Sequence, residues 1–143
     1  FYVTFDAAKR ADSVWRHVVG TPRRADVRVY HEPDVTFNAS LSRARSGEWI
    51  VLGSSSFTSA EYYVLPTREP TAEPRLIAAR RPEVEYDVIP GVDGFYIHTN
   101  LGAPNFQVMR ASVAAPAEWT PWIPPRAEAF VEGVMAFKRH VVV

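Results

Sequence analysis

Three consecutive serines follow a glycine at Gly53-Ser54-Ser55-Ser56, and nucleophilic hydrolysis is the first chemistry they suggest. A serine nucleophile needs a sharp strand-to-helix elbow, usually Gly-x-Ser-x-Gly, with a histidine and a carboxylate supplied later in the chain. No glycine stands two positions beyond any of these serines, and no helix is expected after them. The segment reads as a polar loop following a strand. The four histidines, His17, His31, His98 and His140, form no HExxH and no pair at i, i+4, so zinc ligation has no support. His98 falls in an apolar run, where a hydrogen-bonded structural imidazole is expected. His31-Glu32 closes a strand and is expected to face solvent.

Paired carboxylates would suit glycoside hydrolysis. The clusters are Glu83/Glu85/Asp87, alternating at a strand entrance, and Asp6/Asp12. A solvated rim explains the first equally well, and spacing alone leaves paired carboxylates open because propellers gather residues from different blades. The turn Arg45-Ser46-Gly47-Glu48-Trp49 half echoes the sialidase signature Ser-x-Asp-x-Gly-x-x-Trp but lacks its aspartate. Asn38-Ala39-Ser40 is a glycosylation sequon placed inside a strand and reads as chance. Arg23-Arg24 and Arg80-Arg81 are short loop pairs without interleaved aromatics, a poor surface for nucleic acid. Trp119 and Trp122 flank proline-rich turns and are expected to cover an outer strand. No catalytic, cofactor-binding or metal-ligating residue is assigned in this chain.

Composition agrees with that restraint. The chain has 143 residues, 47% of them hydrophobic, and its 16 basic and 16 acidic residues cancel, so no global field draws in nucleic acid or an anionic membrane. Cysteine is absent, which removes disulfides and thiolate chemistry and tilts the expected compartment toward cytoplasm. No apolar run reaches the roughly 18 residues of a membrane helix.

The elements that would have to position any site repeat. Phe1-Tyr2-Val3-Thr4, Trp49-Ile50-Val51-Leu52 and Phe95-Tyr96-Ile97-His98 recur at steps of 48 and 46 residues. A strand-rich period of about 40 to 50 residues belongs to the blades of a β-propeller. Folding the chain on that period yields four strand slots per repeat. One holds Phe1 to Asp6, Trp49 to Ser54 and Phe95 to Asn100. The next holds Ser13 to Val19, Glu61 to Leu65 and Asn105 to Ser112, with Trp15, Tyr63 and Val108 equivalent. A third holds Asp26 to Tyr30, Pro74 to Ala78 and Glu118 to Ile123. The last holds Phe37 to Leu41, Glu85 to Ile89 and Phe130 to Ala136.

Glycine in Arg45-Ser46-Gly47-Glu48 and Gly91-Val92-Asp93-Gly94 supplies the positive φ of tight hairpins. The best helical candidate, Ala7 to His17, fits strand-turn-strand as well, and 12 prolines break up the remainder. The expected fold is all-β, a partial propeller of about three blades of four antiparallel strands, beginning and ending mid-blade. Its expected parts are 1–31 (a partial blade), 37–79 and 84–123 (blades), and 130–143 (the start of another). Phe1 already reads as strand and no Met precedes it, so a fragment of a longer protein is expected. Three blade-equivalents cannot close a ring, and the open strand edges imply that an isolated piece self-associates.

Six stretches then carry a resemblance: Tyr30-His31-Glu32-Pro33-Asp34 with Phe37, Arg43 to Ile50, Glu73 to Ile77, Val84 to Val88, Phe95 to Asn100, and Asn105 to Val108. In order and over essentially the whole chain they resemble the amino-terminal propeller of the oligopeptidase B branch of the prolyl oligopeptidase family of serine peptidases. The resemblance implies a parent that joins a seven-bladed propeller to an α/β-hydrolase domain bearing the Ser-Asp-His triad. It implies cleavage of short peptides after Arg or Lys, with the propeller restricting entry. No position here matches the family's catalytic residues, so the hydrolase domain is expected outside this chain. Two other readings stand beside it: a stand-alone propeller that binds a partner protein, and a propeller glycosidase fragment, disfavoured by the missing Asp-bearing turns. Fold alone does not separate them.

Overall fold

The computed structural model describes residues 1–143. Thirteen strands follow in order: β1 Tyr2–Phe5, β2 Ala11–Arg16, β3 Val27–His31, β4 Asn38–Arg43, β5 Trp49–Ser55, β6 Ala60–Pro66, β7 Arg75–Ala78, β8 Tyr86–Pro90, β9 Phe95–Thr99, β10 Gln107–Ala111, β11 Thr120–Ile123, β12 Met135–Ala136 and β13 Val141–Val142. The only helical piece is a single 3-10 turn, Arg23–Ala25. The fold is all-β. Ala7 to His17 resolves into a turn followed by β2, because Trp15 and its neighbours gain a ladder partner on each side.

Strands pair with their sequence neighbours, giving antiparallel sheets β1-β2-β3, β4-β5-β6-β7, β8-β9-β10-β11 and β12-β13. None closes on itself. The sheets stack face to face. One core joins Val51, Val64 and Ile77 of the second sheet to Tyr86, Val88, Phe95 and Ile97 of the third. A smaller one joins Val14 of the first sheet to Leu52 and Leu65 of the second. Each such side chain, fully withdrawn from water, contributes about 1.5–3 kcal/mol. Central strands are therefore apolar on both faces, as in the buried run of β5. β1 has a covering sheet on one side only and stays half-exposed.

Several expectations need correction. Trp15 is not the equivalent of Tyr63 and Val108. Those two pair with Leu52 and His98, whose counterpart Thr4 pairs with Ser13, so Trp15 lies two residues out of place. The connection enclosed by the Thr4–Ser13 pair is two residues shorter than the one enclosed by Leu52–Tyr63, so a fixed step of 48 overshoots. Gly53 to Ser55 belong to β5 rather than to a loop, since their backbones continue the ladder to both β4 and β6. The slot Phe130 to Ala136 forms strand only at Met135–Ala136. Of the two hairpin glycines with positive φ, Gly94 is the stricter requirement. Its φ is +144°, and an added Cβ would stand 2.4 Å from the Ala111 carbonyl oxygen.

Candidate functional site

The strongest concentration of buried charge lies where the chain crosses from one sheet to the next. After β3 the chain turns inward at Glu32, whose residue is only 1% exposed. Its carboxylate meets the Arg80 guanidinium at 2.5 Å and accepts from Tyr30 Oη at 2.9 Å, from Asp34 N–H at 2.9 Å and from Ser54 Oγ. Arg80 stands at the matching crossover after β7. It reaches Glu61 Oε1 at 3.4 Å and lies 4.0 Å over the Phe37 ring, a cation–π contact. Glu61 also accepts from Tyr63 Oη at 2.9 Å and from the Arg80 backbone N–H at 3.2 Å. Arg10 fastens the first crossover from below, donating to the carbonyls of Glu32, Asp34 and Phe37.

Burial pushes the Glu32 carboxyl up, but Arg80, Ser54, Asp34 N–H and Tyr30 outweigh it and hold the group at about 2. Desolvation lowers Arg80, and the two glutamates more than reverse that, so it stays charged. Burial raises Tyr30 to about 12. Every oxygen of Glu32 is engaged and Ser54 is fully buried, with no histidine beside it. The cluster clasps the first two sheets together. It has no reactive atom open to a substrate.

Two histidine groups look like relays and are not. His31 Nδ1 lies 3.1 Å from Ser13 Oγ and 3.6 Å from Asp12 Oδ2. A Ser-His-Asp relay needs the hydroxyl and the carboxylate on opposite ring nitrogens; here both share one. His98 is 6% exposed, with Nε2 2.8 Å from the Val131 carbonyl oxygen and Nδ1 3.6 Å from Asp87. Asp87 also accepts from Tyr62 Oη at 2.7 Å. Both ring nitrogens of His98 are occupied, and neither faces a nucleophile. His17 pairs with Asp26 at 2.7 Å, and His140 stacks on Phe137. No group of three His, Asp or Glu side chains is arranged to hold a metal.

The carboxylates noted in the sequence are not gathered either. Glu83 sits before β8 with φ 59°, while Glu85 and Asp87 take different partners, Asn100 and Tyr62. Asp6 binds Arg10 at 3.0 Å, and Asp12 faces His31. Trp119 packs against Tyr86 and Trp122 against Tyr96, where Arg110 approaches both of the latter rings. Asn38 is exposed in β4 opposite Ser55.

The Glu32–Arg80 pair escaped the sequence reading, which placed Glu32 in solvent. The crossover folds Glu32 inward because Arg80 from the adjoining repeat supplies a counter-charge there. One signal could have found it. The two residues are 48 positions apart, the strand period itself, so opposite charges occupy equivalent crossovers.

Comparison with known proteins gives this arrangement a place. Residues 1–143 match the model of the prolyl oligopeptidase N-terminal β-propeller domain. Protease 2 of Moraxella lacunata is 37% identical over 110 residues, 77% of this chain and 16% of that protein. Dipeptidyl aminopeptidase BI of Pseudoxanthomonas mexicana is 33% identical across 100% of this chain and 20% of its own length. The chain thus spans about a fifth or less of the curated relatives it matches. Oligopeptidase B of Trypanosoma brucei, in a closed form with covalently bound antipain, superposes with a TM-score of 0.92 at 28% identity, covering 98% of this chain and 20% of that one. Oligopeptidase B of Leishmania major gives 0.88 at 31% identity over 93% of this chain and 19% of its own. With its stacked four-stranded sheets, its charged crossovers and a family match from end to end, the chain belongs to the N-terminal β-propeller domains of the prolyl oligopeptidase family.

Proposed function

We infer that this chain is part of the non-catalytic cap of an oligopeptidase B-like serine peptidase, one that hydrolyses short peptides after Arg or Lys. The observation that carries the reading is the superposition on oligopeptidase B over 98% of the chain. The cap's contribution is exclusion: sheets stapled by buried cores and by a charged clasp stay shut to folded proteins while flexible peptides pass to a hydrolase domain in the same polypeptide. Opening and closing of such a cap can limit turnover. The preference for basic residues is the finer part of the proposal, since one relative at similar identity is named a dipeptidyl aminopeptidase.

The test is to capture the native polypeptide with an antibody raised to this chain, size it and treat it with a serine-directed fluorophosphonate. The expected result is a labelled band several-fold heavier than 16.1 kDa. An unlabelled band of any size refutes the peptidase reading and leaves a partner-binding propeller. A second expectation concerns the isolated 143-residue piece. β1 and β13 each pair on one side only, so unpaired backbone groups are offered to another copy. Light scattering should find oligomers; a monodisperse 16.1 kDa species would refute self-association. Cytoplasm remains the proposed compartment, motivated by the absence of cysteine; cell fractionation with the same antibody tests it, and recovery from the secreted fraction would overturn it.

A further inference from the structure

The link between β11 and β12, residues 124–134, contains no regular strand. It is pinned to the turn that joins β9 to β10. Asn105 Nδ2 donates to the carbonyls of Arg126 at 3.1 Å and Ala127 at 2.8 Å, and Val131 N–H donates to the Asn105 carbonyl at 3.0 Å. Phe130 meets Phe106 edge-on at 5.4 Å. The remaining pin is titratable. His98 on β9 contacts the Val131 carbonyl oxygen through Nε2 at 2.8 Å, with Phe106 stacked on its ring at 4.7 Å. Its other nitrogen faces Asp87 of β8 at 3.6 Å.

A carbonyl and a carboxylate both only accept. Serving both at once requires a proton on each ring nitrogen, which only the imidazolium has. In the neutral ring one nitrogen turns a lone pair toward an oxygen, either the Val131 carbonyl or Asp87, and that contact is forfeited. The neighbours favour the charged form. The space beside the ring, about 330 Å³, is lined by Glu85, Tyr86 and Asp87 of β8 and its approach, Tyr62 of β6, Glu132 of the link and the hydroxyls of Ser55, Ser56 and Ser59, with no Lys or Arg. The Asp87 contact and the Val131 carbonyl outweigh burial and hold the imidazole above its ordinary value.

We propose that His98 of β9 is a pH-sensitive clasp: protonated, it ties the Val131 carbonyl of the 124–134 link and Asp87 of β8 together, and deprotonated it can donate to only one of them, so that the hold on the link weakens. A group raised on folding contributes fully below its unfolded value, 6.5. Its contribution is lost as pH rises through the higher folded value. The clasp therefore loosens as pH rises above 6.5, and it does so whether or not the peptidase reading holds.

Hydrogen exchange of the intact polypeptide, followed by mass spectrometry from about pH 5.5 to about pH 9, tests this across the range where a histidine switches. Each rate is divided by the intrinsic rate at its pH. Peptides from 126–134 should lose about tenfold protection, the factor equal to about 1.4 kcal/mol, through an inflection above 6.5. Peptides from β5 and β6 should stay level. Asp87→Asn should move the inflection to lower pH, and His98→Gln should abolish it. Protection of 126–134 that is flat with pH in the wild type, or an inflection that Asp87→Asn leaves in place, overturns the proposal. Should His98→Gln fail to fold, the wild-type profile and Asp87→Asn still decide.

Discussion

Arg80→Ala is expected to cost about 3–5 kcal/mol of stability in the intact polypeptide, read as a lowered denaturant midpoint for the propeller. Removing one partner of a buried ion pair leaves the other charge uncompensated, and that penalty sets the size. Glu32 is the charge left behind, 1% exposed beneath an Arg80 side chain that is 29% exposed. Its three remaining donors, Tyr30, Ser54 and Asp34 N–H, do not neutralise it. The loss of the contact with Phe37 adds to the cost. The pH dependence gives an independent check on the cause.

Glu32 is held at about 2, below the ordinary 4.5. A depressed carboxylate stabilises above its unfolded value and ceases to do so as pH falls through the folded one. At 1.36 kcal/mol per pKa unit the ionised carboxylate, through Arg80, Ser54, Asp34 N–H and Tyr30 together, contributes about 3 kcal/mol at neutral pH, lost between 4.5 and about 2. In Arg80→Ala the dependence should reverse, because a desolvated carboxyl without its cation prefers the proton. Mild acid should then rescue the variant relative to the wild type. Glu32→Gln combined with Arg80→Met should recover much of the loss. If the double variant costs as much as the two singles summed, the residues are not coupled and the clasp is not what joins the sheets.

That pair also marks the boundary of what the sequence made legible. Strand identity was readable because the apolar runs at Trp49 and Phe95 are buried on both faces and leave no polar alternation to confuse with a helix. The glycines at 47 and 94 were readable because a hairpin with positive φ has few other solutions. Register was not, since a β1–β2 connection two residues shorter than the β5–β6 one moves the partners within the first sheet without changing composition. Burial of charge was not, because whether Glu32 meets water or Arg80 depends on how two sheets stack. That stacking is a property of the period and of neither residue alone. His98 illustrates the same limit. An apolar strand announces a buried imidazole, but its partners, Asp87 one strand away and Val131 far along the chain, come from topology.

Phe95→Ala is expected to cost about 3–5 kcal/mol, the range for truncating a core phenylalanine. Phe95 is 1% exposed in the core between the second and third sheets, and it meets Trp49 edge-on at 5.3 Å. Ile97 and Ile77 beside it are themselves fully buried, and Met109 packs against the same core from its edge. The stability loss can be read by denaturant, but the functional consequence is the more decisive measurement. On the capping reading, tight contact between adjacent sheets keeps long or folded substrates out. Loosening it should raise the ratio of kcat/KM for a long peptide to that for a short one several-fold, even while total activity falls through unfolding. Phe57→Ala supplies the control. Phe57 is 100% exposed at the β5–β6 turn, and its truncation should stay within about 0.5 kcal/mol of the wild type with an unchanged ratio. If Phe95→Ala loses stability and yet keeps the wild-type size preference, the core between these sheets serves the fold alone, and exclusion must be set elsewhere in the ring.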